Sequence, residues 1–336
     1  MKKEEFFLTS LPPRAILPLK KSGGAFMKTI NKELLACAIE TRAAADIAEG
    51  KISGISVYVS QHGKECYRAH LGTTVPNGTE PVSERTLYRM ASMTKPISTV
   101  AALIAVERGL LSRTDKVSRY LPAYENMTVI DPKEDGTYDA HPCEESLTVW
   151  HLLTHTSGLA NSRALPAFKD VKAASLTLRE YVDVLATKPL AFAPGTASEY
   201  NATAAFDVLA VILEDVTGMD YLEFLKKEIF TPLGMSDTTF VPGEEQWARL
   251  IPFHNRVEGK SVVSGRWAGC VFQNIPATRY LAGAGLISSL SDYITFAEML
   301  RRGGITEEKR ILSESTVRMM AEPQALFPIQ TARQDP

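Results

Sequence analysis

The run Leu87-Tyr88-Arg89-Met90-Ala91-Ser92-Met93-Thr94-Lys95-Pro96-Ile97 constrains this chain more than any other stretch. Beyond it, Ile97, Val100, Ala101, Ile104 and Ala105 recur at helical spacing, which predicts a helix from Lys95 to about Arg108 with Gly109 as its stop. Pro96 fixes the register, because proline is tolerated only in a helix's first turn. Ser92 therefore falls at or just before that turn, where unpaired N–H groups and the positive dipole end favour a developing oxyanion. Lys95 lies one turn on and shares a face with Ser92, so an unprotonated amine there can take the hydroxyl proton. The pair reads as nucleophile and base. The bland alternative is a capping serine beside a solvated lysine, since a Ser-x-x-Lys string arises about once by chance in a chain of this length.

At 336 residues, with 45% apolar and 23% charged side chains, the chain can bury a substantial core. A net charge of −2 and dispersed basic residues give no nucleic-acid or anionic-membrane surface, and point to a small-molecule substrate. Cys37, Cys66, Cys143 and Cys270 show neither metal-ligand nor disulfide spacing and are expected as buried free thiols. His151 and His155 stand four apart without the glutamate that zinc hydrolases place between them, so no metal is expected. No cofactor is required. Neither a signal-peptide core nor a membrane span is evident, which predicts a cytoplasmic location.

The N-terminal 26 residues read as a leader or disordered segment, with Met27 as an alternative start. Asn31 to Glu49 carries Leu34, Leu35, Ile39, Ala43 and Ile47 on one helical stripe, and Gly50 ends it. Ile55 to Ser60 and Glu65 to Leu71 flank Gln61-His62-Gly63-Lys64 and predict a β-hairpin, which needs further strands for stability.

The segment from Thr86 to Ile97 resembles the nucleophile segment of the serine β-lactamase, penicillin-binding protein and family VIII esterase superfamily. Other segments match it in the same order. Leu147 to Leu159 is similar to a leucine-rich helix closed by His-Thr-Ser-Gly; the match implies scaffold roles for His155 and Ser157 and a helix C-cap at Gly158. Pro194-Gly195-Thr196-Ala197-Ser198-Glu199-Tyr200-Asn201 resembles the second catalytic motif of the class C β-lactamases and family VIII esterases, and implies that Tyr200 shuttles a proton. The family pattern is Tyr-x-Asn or Tyr-Ser-x; here Asn201 follows Tyr200 directly and is the candidate substrate-binding residue. Tyr124-Glu125-Asn126 matches the pattern literally but follows a structural connection and reads as coincidence.

Tyr221 to Phe230 is expected as a helix, and residues 243 to 280 as irregular, with Trp247, Trp267, Phe272 and Tyr280 packing or lining an acyl pocket. Ser289 or Ser291 caps a helix through Tyr293, Phe296 and Leu300. The resemblance implies several strands after Met320, the first bearing a third motif such as Lys-Thr-Gly and a second oxyanion donor, whereas sixteen residues follow. Lys21-Ser22-Gly23 and Lys260-Ser261-Val262 are poor substitutes.

The expected fold is α/β (α+β), with an α/β domain split over residues 27–110 and 276–336, lacking its C-terminal strands, and a mainly helical domain at 111–275. The expected function is a serine hydrolase acting on an ester, or an amide or β-lactam, through a Ser92 acyl-enzyme, with Lys95 and Tyr200 moving protons. The alternatives are a β-lactamase or D-alanyl-D-alanine carboxypeptidase, a catalytically silent binding protein or remnant, and an oligomer in which another polypeptide supplies strands.

Overall fold

The computed structural model describes residues 29–133, 137–159, 176–264 and 279–322. The expected leader, Lys21-Ser22-Gly23, Trp267, Cys270 and Phe272 lie outside them.

Helix α1 (Lys32–Ala48) begins at Asn31, whose side chain accepts the Leu34 N–H at 3.0 Å, and is followed by Gly50 at φ 72°. It leans on a hairpin of β1 (Gly54–Gln61) and β2 (Lys64–Gly72), where Tyr67 donates to Glu40 at 3.2 Å. His62 and Gly63, at φ 53° and 76°, form a two-residue turn of the hand that matches strand twist. Among the described residues no strand pairs with the other edge of β1.

Strand β3 (Leu87–Arg89) leads through a 3₁₀ turn (Ala91–Met93) into α2 (Thr94–Glu107), close to the predicted limits. Ile97, Val100, Ala101, Leu103, Ile104 and Ala105 are all at most 3% exposed, so α2 is enclosed over most of its surface. Hairpin β4 (Thr128–Pro132) and β5 (Tyr138–Pro142) precedes α3 (Val149–Leu153), α4 (Leu178–Ala186) and α5 (Ala204–Thr217). Helix α5 is buried along its first ten residues, packs against α2, α3 and α4, and ends at Gly218 in the left-handed conformation. Together α2 and α5 form the middle of the core.

After α5, α6 (Tyr221–Leu225) runs through one π-turn (Lys226–Phe230) into α7 (Thr231–Leu233). The stretch expected to be irregular instead holds α8 (Glu244–Arg249) and a hairpin of β6 (His254–Val257) and β7 (Lys260–Val263). Glu258 and Gly259 turn that hairpin at φ 48° and 78°, and this glutamate–glycine pair was the available sequence signal. Strand β8 (Ile287–Ser289) pairs antiparallel with β3, setting Leu87 opposite Ser289 and Arg89 opposite Ile287. Helices α9 (Leu290–Arg301) and α10 (Glu314–Ala321) follow, capped by Ser289 and Ser313; Ser291 instead bonds Glu84.

The architecture is mixed α/β, with antiparallel strand pairs. Two further expectations need correction. Gly158 is not a C-cap, because α3 ends at Leu153; it is required because a Cβ there would lie 2.0 Å from the Phe192 carbonyl oxygen. Cys37 is exposed and Cys66 and Cys143 are half-buried, so these thiols are not core groups. Trp247 packs on Leu87, Leu250 and Ile287, and Tyr280 stacks with Phe240 while donating to Asp220 at 2.9 Å. Tyr124, the literal motif match, is 4% exposed and donates to the Val182 carbonyl at 2.7 Å. No described helix is long and apolar enough to cross a membrane.

Candidate active site

Ala91 holds φ at 44°, a region costly to residues with a Cβ, and turns the chain from β3 into the 3₁₀ turn that presents Ser92. Ser92 is exposed, whereas Lys95 is 7% exposed at the start of α2. The Lys95 ammonium lies 3.3 Å from Ser92 Oγ, 2.7 Å from the Ala202 carbonyl and 2.9 Å from the Gly283 carbonyl. Two carbonyls thus orient two N–H bonds of Nζ. The remaining tetrahedral direction faces Ser92, as a donor in the ammonium and as a lone pair in the free amine.

The Gly283 carbonyl is placed by a ladder that ties residues 282–289 to the nucleophile segment. Met90 N–H donates to the Leu286 carbonyl at 2.8 Å, Leu286 N–H to Thr94 Oγ1 at 3.2 Å, and Ser98 Oγ to the Ala282 carbonyl at 2.6 Å. Tyr221, fully buried, donates to Ser98 Oγ at 2.7 Å. Gly283 is needed for closeness: a Cβ there would stand 2.7 Å from the Ala202 carbonyl oxygen and 3.4 Å from Lys95 Nζ. Its neighbour Gly285 is similarly confined by the Leu281 carbonyl at 3.0 Å. The Gly283-Ala284-Gly285 run was the sequence trace of this approach, and sequence reasoning gave it no role at the site.

Tyr200 OH donates to Ser92 Oγ at 2.5 Å, and Lys95 Nζ lies 4.8 Å from the Tyr200 ring centre. Burial pushes the Tyr200 phenol up, but hydrogen bonding with Lys95 and with Ser92 and the Lys95 charge together outweigh it, so the phenol is held below its ordinary value. Ser92, Lys95 and Tyr200, predicted from three separate positions in the sequence, therefore converge on one oxygen atom.

Asn201 does not join them. It is 2% exposed; its Nδ2 donates to the Leu159 carbonyl and its Oδ1 accepts the Ala205 N–H, both within hydrogen-bond distance at 2.5 and 3.1 Å. Both polar ends of this side chain, expected at the substrate, are instead engaged within the fold at the start of α5. His155 does reach the site: its ring lies 4.8 Å from the Tyr200 ring. Burial, and then the Lys95 charge, push its pKa down to about 4, so the imidazole is neutral near pH 7. Ser157, its neighbour in the sequence, is 2% exposed and accepts the Leu159 N–H at 3.2 Å.

A cleft of about 640 Å³ opens between β1, β3 and α9, lined by Tyr58, Tyr88, Met90, Met93, Tyr293 and Ile294, with none of Ser92, Lys95 and Tyr200 in its lining. Among the described residues no cluster of histidine, cysteine and carboxylate side chains has the makings of a metal site.

A serine, a buried lysine and a tyrosine on one oxygen, ahead of a buried helix, is the arrangement the sequence resemblance implied. The model of the Beta-lactamase family matches residues 38–334 of the chain. The chain belongs to the beta-lactamase family. Among curated relatives of this beta-lactamase family member, esterase EstB of Burkholderia gladioli is 31% identical over 278 residues, covering 76% of this chain and 67% of that protein. Monacolin J acid methylbutanoyltransferase of Aspergillus terreus is 29% identical over 256 residues, covering 74% and 59%. Among solved structures, EstCE1, described as a hydrolase with promiscuous acyltransferase activity, superposes with a TM-score of 0.71 at 25% identity, covering 87% of this chain and 78% of that one. The beta-lactamase family member thus has esterases and acyltransferases as relatives within a family of serine hydrolases, and spans about two thirds of the EstB length.

Proposed function

We propose that this beta-lactamase family member hydrolyses carboxylic esters through a Ser92 acyl-enzyme. The observation that carries the reading is that Ser92 Oγ lies within hydrogen-bond reach of both Lys95 Nζ, at 3.3 Å, and Tyr200 OH, at 2.5 Å. Ser92 Oγ attacks the ester carbonyl while its proton passes to the Lys95–Tyr200 pair. The negative charge that forms on the carbonyl oxygen falls near the positive dipole end of α2. Collapse of the tetrahedral intermediate breaks the bond to the alcohol, and Tyr200 returns a proton to the leaving oxygen. Water then attacks the acyl-enzyme with the same pair as base, releasing the acid and restoring the Ser92 hydroxyl.

The esterase reading is favoured over β-lactam or peptide cleavage by the EstB likeness. The exposure of Ser92, together with the acyltransferase relatives, also supports delivery of the acyl group to an alcohol in place of water. The test is incubation with a fluorophosphonate followed by intact mass and peptide mapping, beside turnover of short p-nitrophenyl esters and of a chromogenic cephalosporin. An adduct on Ser92 that is lost in Ser92→Ala, with ester but not cephalosporin turnover, is the expected result. Absence of any adduct overturns the hydrolase reading, and the reverse substrate preference replaces esterase with β-lactamase.

A further inference from the structure

His155 makes two backbone-directed contacts that bracket Tyr200. Its carbonyl accepts the Glu199 N–H at 3.0 Å, and its Nδ1 accepts the Asn201 N–H at 3.1 Å. The N–H groups on either side of Tyr200 thus both end on one residue. Ser198 Oγ also donates to the His155 carbonyl, at 3.4 Å. The imidazole lies against the Tyr200 ring with centroids 4.8 Å apart and planes tilted by 38°, and against Phe206 at 5.9 Å.

The backbone is shaped for this grip. His155 sits at φ 59°, one residue past the last turn around Thr154, in a left-handed conformation that non-glycine residues adopt at a cost. Gly158 and Phe192 then come so close that the two segments run side by side, with Ala191 N–H donating to the Gly158 carbonyl at 2.7 Å and Gly195 N–H to the Thr156 carbonyl at 2.8 Å. An Nδ1 that accepts a hydrogen bond belongs to a neutral imidazole whose proton is on Nε2.

We propose that His155 is a positioning residue for Tyr200: it fixes the phenol on Ser92 Oγ by holding the two flanking N–H groups and the ring itself. This rests on the acyl-enzyme reading, in which Tyr200 moves the proton. The role is separable from general packing because its parts are separable. In His155→Asn the Oδ1 atom occupies the place of Nδ1 on Cγ, keeps the acceptor, and asparagine tolerates the left-handed backbone. In His155→Phe the ring contact stays and the acceptor is lost.

The experiment measures ester turnover in His155→Asn, His155→Phe, Tyr200→Phe and the His155→Phe/Tyr200→Phe pair. Loss of an acceptor that lets the phenol drift by about 1 Å is expected to lower kcat by about 10²-fold with KM little changed. His155→Asn is expected to stay within about 5-fold of the parent, and His155→Phe to cost nothing further once Tyr200 is phenylalanine. Additive losses in the double variant, or equal losses in both His155 variants, overturn the proposal. A second readout needs no turnover: the Tyr200 phenol is titrated by ultraviolet difference against the Tyr200→Phe protein. In His155→Phe its titration is expected to move up towards the ordinary tyrosine range, and an unmoved titration overturns the proposal. Fluorophosphonate labelling of Ser92 in the parent protein reports separately on the acyl-enzyme reading.

Discussion

The Gly283 carbonyl oxygen accepts a hydrogen bond from Lys95 Nζ at 2.9 Å, joining positions 188 residues apart. Together with the Ala202 carbonyl it defines how the lysine faces Ser92. A side chain at position 283 would strike the Ala202 carbonyl oxygen. Gly283→Ala is therefore expected to cost about 1–3 kcal/mol of stability, as overpacking does. Turnover per folded molecule should also fall, since both lysine acceptors shift. Thermal unfolding and ester kinetics on the same preparation check this; full activity in Gly283→Ala would show that the two carbonyls do not set the lysine.

Substitution at the converging residues should separate their roles. Ser92→Ala is expected to abolish turnover and labelling. Lys95→Met and Tyr200→Phe are each expected to lower kcat by about 10²- to 10⁴-fold, the usual range for a lost proton-transfer group. Asn201→Asp should instead reduce thermal stability, because the Nδ2 donor to the Leu159 carbonyl is replaced by an acceptor. Steady-state kinetics alongside differential scanning fluorimetry distinguish these outcomes.

Asp207 gives the fold an unusual pH response. It is fully buried, its Oδ1 accepts the Ala282 N–H at 2.9 Å, and its Oδ2 has no hydrogen-bond partner among the described residues. Burial raises its pKa to about 7, against the opposing pull of Arg279, the Ala282 N–H and Lys95. Between the unfolded value, about 4, and 7 the folded state keeps a proton that the unfolded state has released, so this group's contribution to stability falls as pH rises and is level above 7. His155 acts with the opposite sign: its folded value of about 4 lies below 6.5, so its contribution is lost as pH drops through that window. The stability difference between the parent and Asp207→Asn, from urea midpoints, should therefore decline from pH 4 to pH 7 by up to about 1.4 kcal/mol per unit. A flat difference curve would mean that Asp207 is ionised inside the protein.

At the far end of α2, Arg108 Nη1 donates to Glu228 Oε1 at 2.8 Å, and the Glu228 side chain is only 5% exposed. Arg108→Met should cost about 1–3 kcal/mol, less than a fully buried pair because the arginine itself is half-exposed. Adding Glu228→Met should recover most of that loss, since the uncompensated carboxylate is then gone. Chemical denaturation of the two variants checks the sign.

The parts of the site that were legible in the sequence were those encoded locally. Pro96 fixed the start of α2 and the apolar spacing fixed its buried faces, so Ser92 and Lys95 fell where expected. Tyr200 was legible through Pro194-Gly195-Thr196 and the helix that follows. What was hidden depends on chain segments meeting. Asn201 looked like a pocket residue because its chemistry suits one, but the Leu159 carbonyl and Ala205 N–H claim it. His155 was read as scaffold because the resemblance of its segment implied it, and only the folded chain brings its Nδ1 to the Asn201 N–H and its ring to Tyr200. The hairpin at 254–263 was missed because its strands are short and mostly exposed, leaving no buried alternation to read.

The contacts that hold the lysine and the phenol in place span 107, 108 and 188 residues. Contacts closed over such distances form only after the intervening chain has been drawn in, at an entropic cost that local structure does not repay. On the proposed acyl-enzyme reading, reactivity at Ser92 is a property of the assembled chain rather than of the helix that carries it, and during refolding it should appear with the last docking step, after helical content has already returned.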